Sequence, residues 1–353
     1  MTIAYKSANL AKMKITAPEN KKRLESYVIT STFADGSEAE FSTSRRFWSS
    51  FNRKFAITDN IFTHFTPDEV FQRIASGPLG KETFRLTLEA GVDQKSEALG
   101  ISALKKTVIT PDMVQSVVKE YGGTGLRYGG GVYSATFAPQ AGGSRLLKIG
   151  GDDFNQRFNI DFPIDGVGGP TATLALLRSI CVNGLVGLSP LFQSDIIIDG
   201  ENPMNNLSRA VQSYNNEEGW HQLAERLQSA QTSFPSVREV TKAEEVLVKM
   251  GVTVDVQKTF KDKFGSVERR YNLASANEIS KKLQAQLPMN GTVYDLFNFM
   301  TEVTSHSTLA SVAAKQNISH GLIGDMLTEA YDLEGTAKKS TQFEEVFLKK
   351  KAA

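Results

Sequence analysis

The 353-residue chain is poor in several things, and each shortage closes a class of function. It has one cysteine, Cys181, so no disulfide can form within it. With only four scattered histidines (His64, His221, His306 and His320), no Cys/His cluster of metal-binding spacing is available either. No run of about 18 apolar residues occurs, which predicts that nothing spans a membrane. The first 25 residues mix charges throughout and lack the apolar core of a signal peptide. A cytoplasmic, reducing setting is therefore expected. There is no G-x-S-x-G elbow, and no histidine lies in a recognisable catalytic motif. Cys181, late in an apolar segment, reads as packing rather than as a nucleophile. An excess of one charge is missing too: 40 Lys+Arg against 39 Asp+Glu leave a net charge of +1, which excludes a histone-like polycation.

What is present is a folded composition, 40% hydrophobic and 22% charged, and a charge distribution that the total conceals. Residues 1–60 carry ten Lys/Arg against six acids, and residues 338–353 carry five Lys against Glu344 and Glu345. Both ends are basic and the middle is mildly acidic. The pattern fits either two solvated termini or a pair of polyanion-binding arms.

The organisation reads as α+β: a mainly antiparallel sheet with helices packed on one side, followed by a helical C-terminal region. Leu24–Phe33 and Ser37–Thr43 flank Ala34-Asp35-Gly36 as a hairpin. Ser44–Ala56 reads as a helix with Phe47, Phe51 and Phe55 on one stripe. Thr66-Pro67-Asp68 and Thr110-Pro111-Asp112 each place a capping Thr before a Pro and an acid, a helix start. Arg127–Phe137, Arg145–Ile149 and Phe154–Phe162 read as strands, Thr171–Cys181 as a helix, and Gln193–Ile198 as a strand. Helical periodicity then covers Trp220–Ala230, Val237–Met250, Ala274–Leu287, Val293–Thr304 and Gly321–Tyr331. The expected division is a basic arm over 1–19, an α+β core over 20–200, a helical region over 201–335 and a basic tail over 336–353.

The glycine clusters at 122–125 and 129–131 match neither a P-loop nor a dinucleotide fingerprint and suggest bulges instead. No cofactor is expected. Asp152, Asp153, Asp161 and Asp165 crowd together, but Pro163 breaks any shared helical face, so turn chemistry outweighs a metal site. The segment Arg45–Phe55 carries more functional promise. Single-stranded nucleic acid is held by cations that track phosphates and by rings that accept bases. Arg45, Arg46, Arg53 and Lys54, interleaved with aromatics, supply both ingredients. The competing reading makes the three Phe a core stripe and the cations its wet side, and leaves Trp48 open. On the central strands, Arg127, Lys148 and Arg157 would point outward from a solvated sheet face, with Tyr128 beside Arg127.

Arg157-Phe158, Asp161-Phe162-Pro163-Ile164-Asp165-Gly166, Leu177-Arg178 and Cys181-Val182-Asn183-Gly184-Leu185 together resemble the central signature of a phage/plasmid-like protein family defined as a domain of unknown function. The resemblance spans about 110–200, is looser over 44–75 and fades in the C-terminal region. It implies a gene carried by a phage, plasmid or integrated element, and a role in DNA maintenance or recombination, but no reaction.

The expected function is thus a non-enzymatic, single-stranded nucleic-acid-binding protein of a mobile element, in a further form a strand-annealing protein assembled into homo-oligomers. Arg45, Arg46, Arg53, Lys54, Arg127, Lys148 and Arg157 would contact phosphates, and Trp48 or Tyr128 would stack on bases. The alternative is a structural or interaction protein with no nucleic-acid role. A metal-dependent nuclease using Asp153, Asp161 and Asp165 is the third reading.

Overall fold

The computed structural model describes residues 2–19, 24–90, 96–140, 145–178, 185–198, 202–265 and 289–306. The fold is mixed α+β, with mostly antiparallel strands and helices concentrated in the C-terminal half, as the composition and periodicity predict. The strands divide into two six-stranded sheets.

The first sheet is built from β1 (Thr2–Ala8), β2 (Met13–Thr16), β3 (Val28–Thr32), β4 (Glu38–Thr43), β5 (Phe84–Ala90) and β6 (Ser96–Ser102), in the order β1-β5-β6-β4-β3-β2. The β3–β4 hairpin turns at the expected place, where Gly36 takes φ 79° and the Phe33 amide donates to Ser37 O at 2.8 Å. β4 and β6 run parallel because helices α1 (Arg45–Lys54) and α2 (Pro67–Ala75) and strand β5 intervene between them. The expected N-terminal arm is instead the source of β1 and β2. All seven residues of β1 pair with β5. Its one basic residue, Lys6, pairs with Asp35 at 2.7 Å and Ala8 joins the first sheet's core, so sheet pairing outweighs the cost of ordering the strand.

The second sheet comprises β7 (Thr124–Gly129), β8 (Val132–Phe137), β9 (Leu146–Ile149), β10 (Asp152–Pro163), β11 (Thr171–Arg178) and β12 (Leu185–Asp195), ordered β12-β11-β10-β8-β7 with β9 also on β10. Two expectations change here. Arg127–Phe137 is a hairpin rather than one strand, turning on Gly130 and Gly131 at φ 54° and 84°. Thr171–Arg178, read as the start of a helix, is a strand. Its Ala and Leu content favours a helix, but Thr171/Thr173 alternate with Ala172/Leu174, and it pairs on both sides, with β10 and β12.

Helices α3 (Pro111–Glu120) and α4 (Pro203–Ser213) cover Phe137, Phe158, Ile160 and Phe162 of the second sheet. Tyr214 stacks on Phe158 with ring centroids 4.2 Å apart. Helices α5 (Glu217–Ala230), α6 (Val237–Met250), α7 (Val254–Phe264) and α8 (Val293–His306) share a core with Ile149, Phe154 and Leu174 of that sheet. Tyr294 fixes α8 by donating to Ile149 O and Asp152 Oδ2. The helical region therefore adds to the second sheet's core across the expected boundary near residue 200. The helices expected at 274–287 and 321–331, Cys181 and the tail 336–353 lie outside the described residues. Among the described residues no helix is long and apolar enough to cross a membrane.

Candidate nucleic-acid interface

Ser44 starts α1: its Oγ accepts from the Phe47 amide at 3.0 Å and donates to Ala98 O of β6 at 2.7 Å. Ser50, one face-turn on, accepts from the Ile101 amide at 2.9 Å. These bonds hold α1 along β6 and bury its aromatic stripe. Phe47 and Phe51 are fully buried and Phe55 nearly so, as the periodicity predicts. Trp48 joins them. It is 1% exposed, ringed by Tyr27, Phe47, Phe51 and Phe62, and its indole N–H donates to Leu24 O. The expectation that Trp48 stacks on a base is therefore corrected. Emptying such a core position costs about 3–5 kcal/mol, whereas a base stack returns ~1–3 kcal/mol.

The four cations of α1 part company. Arg45 is exposed and paired with Glu25. Arg46 reaches across to the second sheet, where Nε and Nη2 both donate to Oδ2 of the buried Asp165, Nε at 2.9 Å. Lys54 pairs with Glu82 at 2.7 Å. Arg53 is exposed and makes no salt bridge among the described residues.

Asp165 is the fastening between the sheets. Its Oδ1 accepts from the Val167 amide at 2.9 Å, closing the bend that the Asp-Gly pair predicts, with Gly166 at φ 73°. Its carbonyl accepts from Thr87 Oγ1, and the neighbouring Ile164 carbonyl accepts from Tyr5 OH at 3.1 Å. The loop fits because of a bulge in the β5–β6 ladder. Thr87 pairs with Gly100 and Leu88 with Ala98, so Leu99 has no partner and packs against Gly131. A Cβ on Gly100 would lie 2.7 Å from Val167 Cγ2, which explains glycine at that position.

Beside this fastening lies a cleft of about 150 Å³ lined by Arg53, Lys54, Ser102, Lys106, Gly166 and Val167, among others. Arg85 braces its rim, donating to Lys106 O at 2.6 Å and to Leu104 O. Lys106 Nζ donates to Val167 O, a neutral acceptor. Burial pulls the Lys106 ammonium below its ordinary pKa; the Asp165 charge opposes this and Arg53 adds to it. Ser102 is 6% exposed, and its buried Oγ has no hydrogen-bond partner. Lys106, Ser102 and Arg85 escaped the sequence reading. Only Lys105-Lys106 carried a signal, as a basic pair just past a strand.

The strand cations form no stripe with these. Arg127 and Arg157 lie on the second sheet's polar face, opposite Phe154, Phe158 and Ile160, as the alternation predicts. That face is not an open groove. Asn159, Thr136, Thr173 and Ala175 on it are buried, and Asn159 bonds Ser134 and Asp161. Burial disfavours the charged form of Arg127, with Asp161 opposing it, and of Arg157, which donates to Gln156 O. Lys148 lies across from Asp153 at 3.8 Å. Tyr128 is half-buried and donates to Glu89 across the sheet junction, and burial with Glu89 raises its pKa. Of the seven cations expected to contact phosphates, Arg53 and Lys54 thus line one cleft, and Arg46 is held by Asp165 beside it.

The clustered carboxylates do not converge either. Asp152 accepts from Tyr294, Asp153 faces Lys148, Asp161 accepts from Asn159 and Asp165 pairs with Arg46. No group of three His, Cys, Asp or Glu among the described residues is placed to hold a metal ion. No protein-family profile, curated protein or solved structure matches the chain.

Proposed function

We propose that the protein is a non-enzymatic binder of single-stranded nucleic acid, working in the cytoplasm and encoded by a phage or other mobile element, with strand annealing and self-assembly as its extended activity. The observation that carries this reading is the meeting of Arg53, Lys54 and Lys106 at one cleft, where Lys54 pairs with Glu82 and the adjoining Asp165 pairs with Arg46. A site of this kind favours a polyanion, because each phosphate it neutralises releases condensed counterions. Lys105, exposed on the same loop, extends the positive charge.

The test is charge reversal on the rim. Arg53→Glu with Lys105→Glu should lower affinity for a labelled single-stranded oligonucleotide at least tenfold while the protein stays folded. Unchanged affinity removes the reading. The second reading, an interaction protein without a nucleic-acid role, draws on the internal ion pairing of Arg46 and Lys148. It is favoured if the folded, full chain binds no oligonucleotide at low salt.

A further inference from the structure

Three features of the cleft beside the Asp165 loop point to something narrower than general basicity. First, it is small: about 150 Å³, room for one tetrahedral oxyanion. Second, its cations are unevenly committed. Lys54 holds Glu82, whereas Arg53 has no salt bridge among the described residues and Lys106 holds only a carbonyl. Third, Ser102 lines it with a hydroxyl that is buried yet unpartnered. A buried hydroxyl without a hydrogen-bond partner is unfavourable, and a bound acceptor would remove that cost. The floor is glycine for a reason: a Cβ on Gly166 would lie 2.7 Å from Ser102 Oγ, closing the space around that hydroxyl. Asp165, under the same loop, is paired with Arg46.

We infer that this cleft is a seat for a single phosphate-type oxyanion, with Ser102 Oγ as hydrogen-bond donor and Arg53 and Lys106 as its cationic walls. The inference rests on the polyanion reading above and names where one backbone phosphate docks. Lys106 keeps its bond to Val167 O and offers its remaining N–H groups, while Ser102 Oγ, closed to solvent as it stands, turns toward the cleft to donate.

The experiment titrates the full chain with inorganic phosphate by calorimetry and, separately, with a single-stranded oligonucleotide. It compares wild type, Ser102→Ala and Lys106→Met. Phosphate should bind the wild type with one site per chain and bind Ser102→Ala about tenfold more weakly, the effect of one hydrogen bond to a charged group. Phosphate should also raise the melting temperature of the wild type and not that of Lys106→Met, a readout that keeps the test valid if either variant is less stable. Equal phosphate affinity in wild type and Ser102→Ala overturns the seat. If the oligonucleotide binds and phosphate does not, the seat is wrong while the nucleic-acid reading stands. Ser102-dependent phosphate binding without oligonucleotide binding supports the seat and removes the nucleic-acid reading.

Discussion

At the residue scale, Arg46 and Asp165 show why type and spacing could locate a charge without assigning its work. Arg46 looks like any cation on the wet side of an aromatic helix. Only the fold brings it to a carboxylate 119 positions away. Asp165 is 1% exposed, so its truncation strands the Arg46 guanidinium and two loop amides together. Asp165→Ala should cost about 3 kcal/mol, at the low end for a buried pair because the Arg46 side chain is 40% exposed. Urea unfolding measures this, and a loss under about 1 kcal/mol would show that the pair is not the fastening described. The half-buried Tyr5 and the buried Tyr27 make a second residue-scale prediction. Burial raises the Tyr5 and Tyr27 hydroxyls to about 12. A raised phenol leaves stability constant below pH 10, where both states are protonated, and lowers it between about pH 10 and 12, where only the unfolded chain ionises. Spectrophotometric titration should therefore show part of the tyrosine signal appearing only as the protein unfolds in alkali.

At the element scale, capping chemistry was the most legible part of the sequence. Both Thr-Pro-Asp starts open helices at the expected residues, and the Asp35-Gly36 hairpin turns where it should. These signals are local, so they survive without tertiary information. The segment Thr171–Arg178 was not legible, because its alanines and leucines suit a helix and its strand state is imposed by two neighbours. Helices α4 and α7 were missed for a related reason. Asn202-Pro203 reads as a linker as readily as a cap, and Phe260 and Phe264 are too few to announce a face. The contact between β6 and the Asp165 loop yields a direct test. Gly100→Val would push a side chain into Val167 Cγ2 and should destabilise the fold by about 1–3 kcal/mol. Thermal unfolding checks it, and a neutral result would mean that the Asp165 loop yields freely. Trp48→Phe should lower stability yet leave oligonucleotide affinity unchanged once folded protein is compared, because the indole faces Tyr27 and Phe62.

At the scale of the whole molecule, two sheets meet at the Asp165 loop and the helices of the C-terminal half enlarge the second sheet's core. The near-neutral net charge, +1, is divided so that most expected binding cations are matched internally and a few are left at one cleft. Pairing of this kind depends on strand order and on a bulge at Leu99, neither of which composition or periodicity contains. The fold class was therefore readable and the site only in fragments: Arg53 and Lys54 from the helix, without Ser102, Arg85 or Lys106 from the sheet.

The most direct measurement is the salt dependence of single-stranded oligonucleotide binding by fluorescence anisotropy, with wild type beside Arg53→Ala and Lys106→Ala. If the cleft seats one backbone phosphate, it contributes about −0.7 to the slope of the logarithm of affinity against the logarithm of salt, and each substitution should make the observed slope shallower by up to that amount. A flat dependence, or a steep one that neither substitution alters, would contradict the cleft as the place where the strand is held.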